Sequence, residues 1–229
     1  MIEGANLLFD AKANPVCFDL NARPRVKICG LREKETAEVA VEVGADAIGL
    51  MFYEPSPRYV TPEVAESIIT QVKGRISIVG VFVNPIAAGM EAILARVSLD
   101  VLQFHGEEKD AFCRQWGLPY IKALRLREGG AYESVGSDWP GAAAFLVDSY
   151  TPDAYGGTGA LCDWDRIPKA LDRPVILAGG LCPNNIGAAI ARVKPWCVDV
   201  SSGVECRKGV KDAVLIRAFM REVNNVSER

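Results

Sequence analysis

The run Arg25-Val26-Lys27-Ile28-Cys29-Gly30 is short, rich in β-forming residues and closed by a glycine. The residues immediately after it decide the fold. A dinucleotide-binding open sheet would place a Gly-x-Gly-x-x-Gly turn at this first strand-to-helix junction. The chain instead continues through Leu31-Arg32-Glu33 into residues 34–43, whose apolar side chains recur at helical spacing. Seven further β-rich runs begin near Asp46, Ile76, Asp100, Pro119, Ala143, Pro174 and Cys197, at intervals of 19 to 31 residues. Helical spacing returns over residues 62–72, 86–97, 184–193 and 210–223. Strand then helix, eight times, predicts an α/β fold, a (β/α)8 TIM barrel. A doubly wound open sheet is the alternative, disfavoured by the count of eight and by the missing glycine fingerprint.

Two helix starts support this register. Thr61-Pro62-Glu63 and Asn84-Pro85-Ile86 each set a capping side chain before a proline at the first helical position. The weakest helix is expected between residues 128 and 138, where Gly129, Gly130 and Gly136 undercut helical propensity. Residues 1–23 stand outside the repeat and read as an N-terminal extension, either an extended arm covering the barrel floor or a partly disordered tail, with residues 24–229 forming one barrel domain.

Composition narrows the function classes. Hydrophobic residues make up 49% and charged residues 24% of the 229, and the net charge is -3. That balance gives no general attraction to nucleic acid or to an anionic membrane, so an anionic ligand has to be held locally. The N-terminus carries Glu3 and Asp10 with no long apolar stretch, which argues against a signal peptide or a membrane span. The seven cysteines, at 17, 29, 113, 162, 182, 197 and 206, are odd in number and never closer than nine positions. They suggest neither a disulfide framework nor a metal clip, and a reducing cytoplasm fits them best.

Side chains alternate along a strand, so Lys27 and Cys29 share one face. By the same parity Ala144, Leu146 and Asp148 point together in the sixth strand, and Cys197, Asp199 and Ser201 in the eighth. Strands one and eight become neighbours when a barrel closes, and a lysine buried there needs a partner. Lys27 is therefore expected to pair with Asp199 and to lend positive potential that favours the Cys29 thiolate. The turns Ala178-Gly179-Gly180 and Ser201-Ser202-Gly203-Val204 come after strands seven and eight, where barrels of this kind often bind phosphate through bare backbone N–H groups. Arg58, at the end of Met51-Phe52-Tyr53-Glu54-Pro55-Ser56-Pro57-Arg58, offers a guanidinium to the rim, either for a carboxylate or as a solvated loop residue. His105 is the sole histidine, ends strand four and shares its face with Gln103, so it is either a substrate contact or a positioned polar rim residue. The glycines of Gly156-Gly157-Thr158-Gly159 read as a lid.

Taken in order, Lys27-Ile28-Cys29-Gly30, Ser56-Pro57-Arg58, Gln103-Phe104-His105-Gly106, Leu146-Val147-Asp148-Ser149, Gly156-Gly157-Thr158-Gly159, Ala178-Gly179-Gly180-Leu181 and Asp199-Val200-Ser201-Ser202-Gly203-Val204-Glu205 resemble the phosphoribosylanthranilate isomerases, barrel enzymes of tryptophan biosynthesis. The resemblance runs from about Val26 onward. It implies that Cys29 is the general base, Asp148 the general acid, Arg58 the partner of the anthranilate carboxylate, and the turns at Gly179, Gly180, Ser202 and Gly203 the phosphate site. Gly157, Asp199, Ser201 and His105 complete the expected substrate-binding set. The implied reaction is an Amadori rearrangement of a phosphosugar, in which no hydride moves and no bond is hydrolysed, so no cofactor or metal is expected. The protein is expected to be a cytoplasmic monomer or homodimer. The arm is unmatched, and Ala160 stands where many members are expected to carry lysine. The histidine-pathway or dual-substrate isomerases and a noncatalytic phosphate-binding barrel are the competing readings. The first are expected to use a carboxylate where this chain has Cys29, and the second has no use for a facing acid and base.

Overall fold

The computed structural model describes Leu8 and residues 23–126, 135–149, 164, 167, 171 and 173–227. Eight parallel strands close on themselves in chain order: β1 (Arg25–Cys29), β2 (Ala47–Met51), β3 (Ser77–Phe82), β4 (Val101–Phe104), β5 (Tyr120–Leu126), β6 (Ala144–Ser149), β7 (Val175–Leu177) and β8 (Cys197–Val200). β1 pairs with β8 in parallel, which completes the barrel and sets Lys27 opposite Asp199. The described helices are α1 (Lys34–Glu42), α2 (Pro62–Val72), α3 (Ala87–Leu94), α4 (Asp110–Arg114), α5 (Val135–Asp138), α6 (Ile186–Val193) and α7 (Ala213–Ser227). The eight-beat reading of the sequence is borne out.

Strand alternation produces two apolar shells. Inward residues such as Ala47, Val79, Val81, Val101, Ile121, Ala144, Leu146 and Ile176 pack on one another inside the barrel. Their outward neighbours Val26, Ile28, Ile48, Leu50, Leu102, Phe145 and Val198 pack under the helices. Both faces of β2 and β3 are covered, so these strands are buried along their whole length and show no polar alternation. In α2 the buried positions Ala65, Ile68, Ile69 and Val72 fall at i, i+3, i+4 and i+7, the stripe that seats a helix on a sheet.

Thr61 caps α2 as expected, its side chain accepting from the Val64 N–H with Pro62 in the first turn. Asn84 does not cap α3. Ile86 occupies that position, while Asn84 adopts φ +45° and its side chain accepts from the Glu107 N–H at 2.7 Å. The next loop offers it a stronger partner than the helix end does. Residues 210–223 are not helical throughout either. Val210 belongs to a two-stranded hairpin, β9 (Glu205–Arg207) with β10 (Val210–Lys211), and α7 starts only at Ala213. The weak fifth helix is a single turn, Val135–Asp138, and residues 127–134 lie outside the described residues.

Of the extension, Leu8 and Arg23 are described. Leu8 is fully buried in the inner apolar cluster, and its N–H donates to Ser77 Oγ at 2.9 Å, at the first residue of β3. One residue of the arm therefore does sit against the barrel floor. The other side of the floor is held by Arg25, stacked over Trp196 at 5.5 Å.

Candidate active site

β1 brings Lys27 and Cys29 into the barrel. Space for them comes from Gly49, which is in register with Cys29. A Cβ at Gly49 would lie 2.8 Å from the Cys29 sulfur and 3.2 Å from the Lys27 ammonium. Lys27 is fully buried and its Nζ donates to Asp199 Oδ1 at 2.9 Å, which bears out the expected pair. Burial by itself would pull the Lys27 pKa down, but Asp199 and the neighbouring Cys29 thiol more than offset it, so the ammonium is held charged.

The thiol behaves otherwise. Burial pushes the Cys29 pKa up, and Asp199 adds to that, against the opposing pull of Lys27 and Lys211. The net direction is upward from 9.0, so the expected Lys27 effect is present but outweighed by desolvation. The unliganded site holds Cys29 as a thiol near neutral pH.

Asp148 lies on β6, separated from β1 by β7 and β8, buried and directed inward with Leu146. His105, just beyond β4, places Nε2 3.5 Å from Asp148 Oδ2. Its Nδ1 meets the Gln103 amide nitrogen at 3.2 Å, and when that amide donates, the imidazole proton sits on Nε2, facing the carboxylate. His105 Nε2 and Gln103 Oε1 are both buried, and neither has a hydrogen-bond partner among the described residues. Two buried polar atoms, unpaired among the described residues and one of them beside Asp148, fit a site shaped for a polar ligand.

The turns after β7 and β8 lie against each other. Gly179 and Gly180 adopt φ of +85° and +65°, and a Cβ on Gly203 would fall 1.8 Å from the Leu181 carbonyl oxygen. Only glycine permits that approach. Asn185 fixes the first turn by donating to the Gly180 carbonyl at 2.9 Å and accepting from the Cys182 N–H at 2.8 Å. Ser202–Val204 form a single 3-10 turn, and the Ser201 hydroxyl donates to the Cys29 carbonyl at 3.0 Å. Ser201 thus joins the second turn to the strand that carries the thiol.

Arg58 is not a solvated loop residue. It is buried, and its Nε and Nη2 donate to Glu205 Oε1 and Oε2 at 2.6 and 2.9 Å. Lys211, also buried, donates to the same carboxylate at 2.7 Å and to Ser201 Oγ at 3.2 Å. Sequence reading missed Glu205 and Lys211. Glu205 ends the run that begins at Asp199, but the turn before it breaks strand parity, and Lys211 fell within a stretch read as helix. It also missed the buried Lys122–Glu108 pair, at 2.8 Å, whose carboxylate anchors the Asn84 and Gly106 N–H groups beneath His105. A lone cation inside the apolar run Tyr120-Ile121-Lys122-Ala123-Leu124 was the available signal. Gly157 and the rest of the supposed lid, with Ala160, lie outside the described residues.

Burial raises the Glu205 pKa, but Arg58 and Lys211 more than reverse this and bring it from 4.5 to about 2. The carboxylate is favoured in the folded state, so this contribution is complete above about pH 4.5 and is lost as pH falls toward 2, about 3 kcal/mol in all. Urea unfolding should show stability falling across that window in the wild type and a flatter profile for Glu205→Gln. Equal slopes would contradict the assignment.

A family model described as N-(5'phosphoribosyl)anthranilate (PRA) isomerase matches residues 26–222. The N-(5'-phosphoribosyl)anthranilate isomerase of Nitrosococcus oceani is 48% identical over 205 residues, which cover 90% of this chain and 100% of that protein. That of Azotobacter vinelandii is 50% identical over 204 residues, 89% of this chain and 99% of the relative. The solved phosphoribosylanthranilate isomerase from Thermotoga maritima superposes with a TM-score of 0.80 at 37% identity, over 88% of this chain and 99% of that one. A further isomerase structure, bound to reduced 1-(o-carboxyphenylamino)-1-deoxyribulose 5-phosphate, gives 0.74 at 34% identity over 88% and 99% of the two chains. The arrangement of thiol, carboxylate and paired glycine turns therefore sits in a familiar barrel, and the chain belongs to the N-(5'-phosphoribosyl)anthranilate isomerase family.

Proposed function

We propose that residues 24–229 form one catalytic domain that converts N-(5-phosphoribosyl)anthranilate to 1-(2-carboxyphenylamino)-1-deoxyribulose 5-phosphate, with Cys29 as base and Asp148 as acid. The observation that carries this reading is the placement of a buried thiol on β1 and a buried carboxylate on β6, both inward and both near the C-terminal ends of their strands. Asp148 delivers a proton to the furanose ring oxygen, the ring opens to an iminium, and the Cys29 thiolate removes the C2 proton to give an enolamine that becomes the ketone. His105 Nε2 and Gln103 Oε1 supply polar contacts beside the acid, where the sugar hydroxyls pass. Gly179, Gly180, Ser202 and Gly203 take the phosphate on backbone N–H groups, with Ser201 holding that turn to β1. Gly157 is assigned to the same end of the substrate. Asp199 serves the reaction by keeping Lys27 charged beneath the thiol.

Arg58 takes the anthranilate carboxylate, which puts the two anionic ends of the substrate on separate anchors with the reacting carbons between them. The fraction of Cys29 present as thiolate carries the reaction, and the Lys27 ammonium beside it stabilises that form against the cost of burial. The chemistry is a tautomerisation in tryptophan biosynthesis, placed in the cytoplasm; the five cysteines among the described residues are all free, which suits a reducing compartment. In solution the protein is taken to be a monomer or a homodimer. Pure protein should speed the decay of the substrate's anthranilate fluorescence and yield the ketose product. No acceleration over buffer would remove the assignment.

A further inference from the structure

We propose that Glu205 is a positioning residue for substrate recognition, presetting the Arg58 guanidinium so that the carboxylate end of the substrate meets a fixed fork. The inference rests on the reading that Arg58 receives that carboxylate. Arg58 belongs to a loop between β2 and α2, yet its side chain is as buried as a core residue. Two contacts produce that. Gly30, at φ +79°, makes way for the arginine stem, since a Cβ there would lie 2.5 Å from Arg58 Cδ. Glu205 then grips the far end through Nε and Nη2.

The grip is itself built. Glu205 Oε1 accepts from Arg58 Nε and Lys211 Nζ, and Oε2 accepts from Arg58 Nη2 and the Gly209 N–H at 3.0 Å. Gly209 adopts φ +81° and passes so close to the Arg58 loop that a Cβ would lie 2.4 Å from the Pro57 carbonyl oxygen. The hairpin of β9 and β10 is therefore seated on the loop that carries the arginine. Lys211 extends the same network to the Ser201 carbonyl and hydroxyl, and Ser201 reaches the Cys29 carbonyl. The fork is thereby tied to the strand of the proposed base. A carboxylate anchored on Arg58 would be registered against Cys29 by hydrogen bonds, not by a mobile side chain.

Charge makes the role of Glu205 specific. It stays ionised across the working pH range, with a pKa brought down to about 2. By charge alone, an anion beside Arg58 weakens the site for an anionic ligand, and removing it would tighten binding. Positioning predicts the reverse. An arginine fixed in advance loses less rotamer entropy when it binds and presents its donors in the plane that a carboxylate accepts.

The test is a double-mutant cycle with Glu205→Gln and Arg58→Ala, read as KM and kcat for N-(5-phosphoribosyl)anthranilate, with inhibition by inorganic phosphate as a control for the other end of the site. Glu205→Gln should raise KM by about 10-fold to 100-fold while kcat changes by less than about threefold, with phosphate inhibition unchanged. In the Arg58→Ala background the same substitution should move KM by less than about twofold. An unchanged or lowered KM in Glu205→Gln overturns the proposal, as does an effect of equal size in both backgrounds. If Arg58→Ala alone leaves KM unchanged, the carboxylate reading itself falls. Should Glu205→Gln fail to fold, Glu205→Asp keeps the charge while shortening the reach, and KM must again rise; an unchanged KM there also overturns the proposal.

Discussion

Replacing Cys29 with serine or Asp148 with asparagine is expected to lower kcat about 10²-fold or more in each case. Each substitution keeps the shape of the side chain and removes its capacity to exchange a proton at the required step. Serine at position 29 retains the small polar group over Gly49, so Lys27 and Asp199 keep their surroundings. Asparagine at 148 keeps a polar side chain of the same size 3.5 Å from His105. The fold should therefore survive, and affinity for the reduced product analogue should stay within about threefold of wild type. Loss of turnover with retained binding separates a catalytic role from a binding one. A noncatalytic barrel would show neither loss, and kcat within about threefold of wild type for either variant would remove that residue from the mechanism. The double variant should be little worse than the singles, because acid and base serve successive steps of one conversion.

Removing the partner of Lys27 should be the most damaging change to stability. Asp199→Ala leaves an ammonium inside the barrel, shielded from solvent and without its carboxylate at 2.9 Å. Breaking a buried pair in this way costs about 3–5 kcal/mol, because the remaining charge is uncompensated. For a chain of this size that corresponds to a fall in Tm of about 10 °C, measured by thermal unfolding at pH 7. The Lys27 pKa is raised above 10.5 in the folded state, so the pair's contribution is complete below that pH and is lost only as pH rises beyond it. Measurements at neutral pH therefore see all of it. Lys27→Met combined with Asp199→Leu should recover most of the loss, since an apolar pair of similar volume carries no desolvation cost. A fall of less than about 2 °C in Asp199→Ala would show that the pair is solvated and that the barrel interior is wetter than its packing suggests.

The legible part of the fold and site is the part set by local interactions. Strand parity is a property of adjacent residues, so the shared faces of Lys27 with Cys29, of Leu146 with Asp148, and of Cys197 with Asp199 could be stated before any contact was known. Barrel closure then required β1 to meet β8, and the Lys27–Asp199 pair came with it. The cap at Thr61 was legible for the same reason, being set by residues three positions apart. Asn84 failed as a cap because a residue 23 positions away, Glu107, competes for its side chain. Arg58 and Glu205 are 147 positions apart and lie on loops, where neither period 2 nor period 3.6 applies, so their pairing left no pattern to read. Lys211 was misplaced because Val210 fits a helical spacing that the hairpin overrides. An arm over the floor was one of two readings open for residues 1–23, and nothing there marked Leu8 as the residue to be buried. The protonation of Cys29 was left open by the sequence, which revealed the neighbouring lysine, while the depth of burial that outweighs it appeared only in the fold.

The central claim, that Cys29 is the base, makes the pH profile a property of that residue. Burial raises the Cys29 pKa above 9.0, so kcat/KM of the wild type should climb with pH through the neutral range and into the alkaline one. Exchanging the thiol for a carboxylate should carry this rising limb with it. The decisive measurement is kcat/KM against pH for wild type and Cys29→Asp under the same conditions. The account predicts a slower enzyme whose rising limb lies several pH units lower, in the range of a buried carboxylic acid; a limb that stays where the wild type has it would contradict Cys29 as the base.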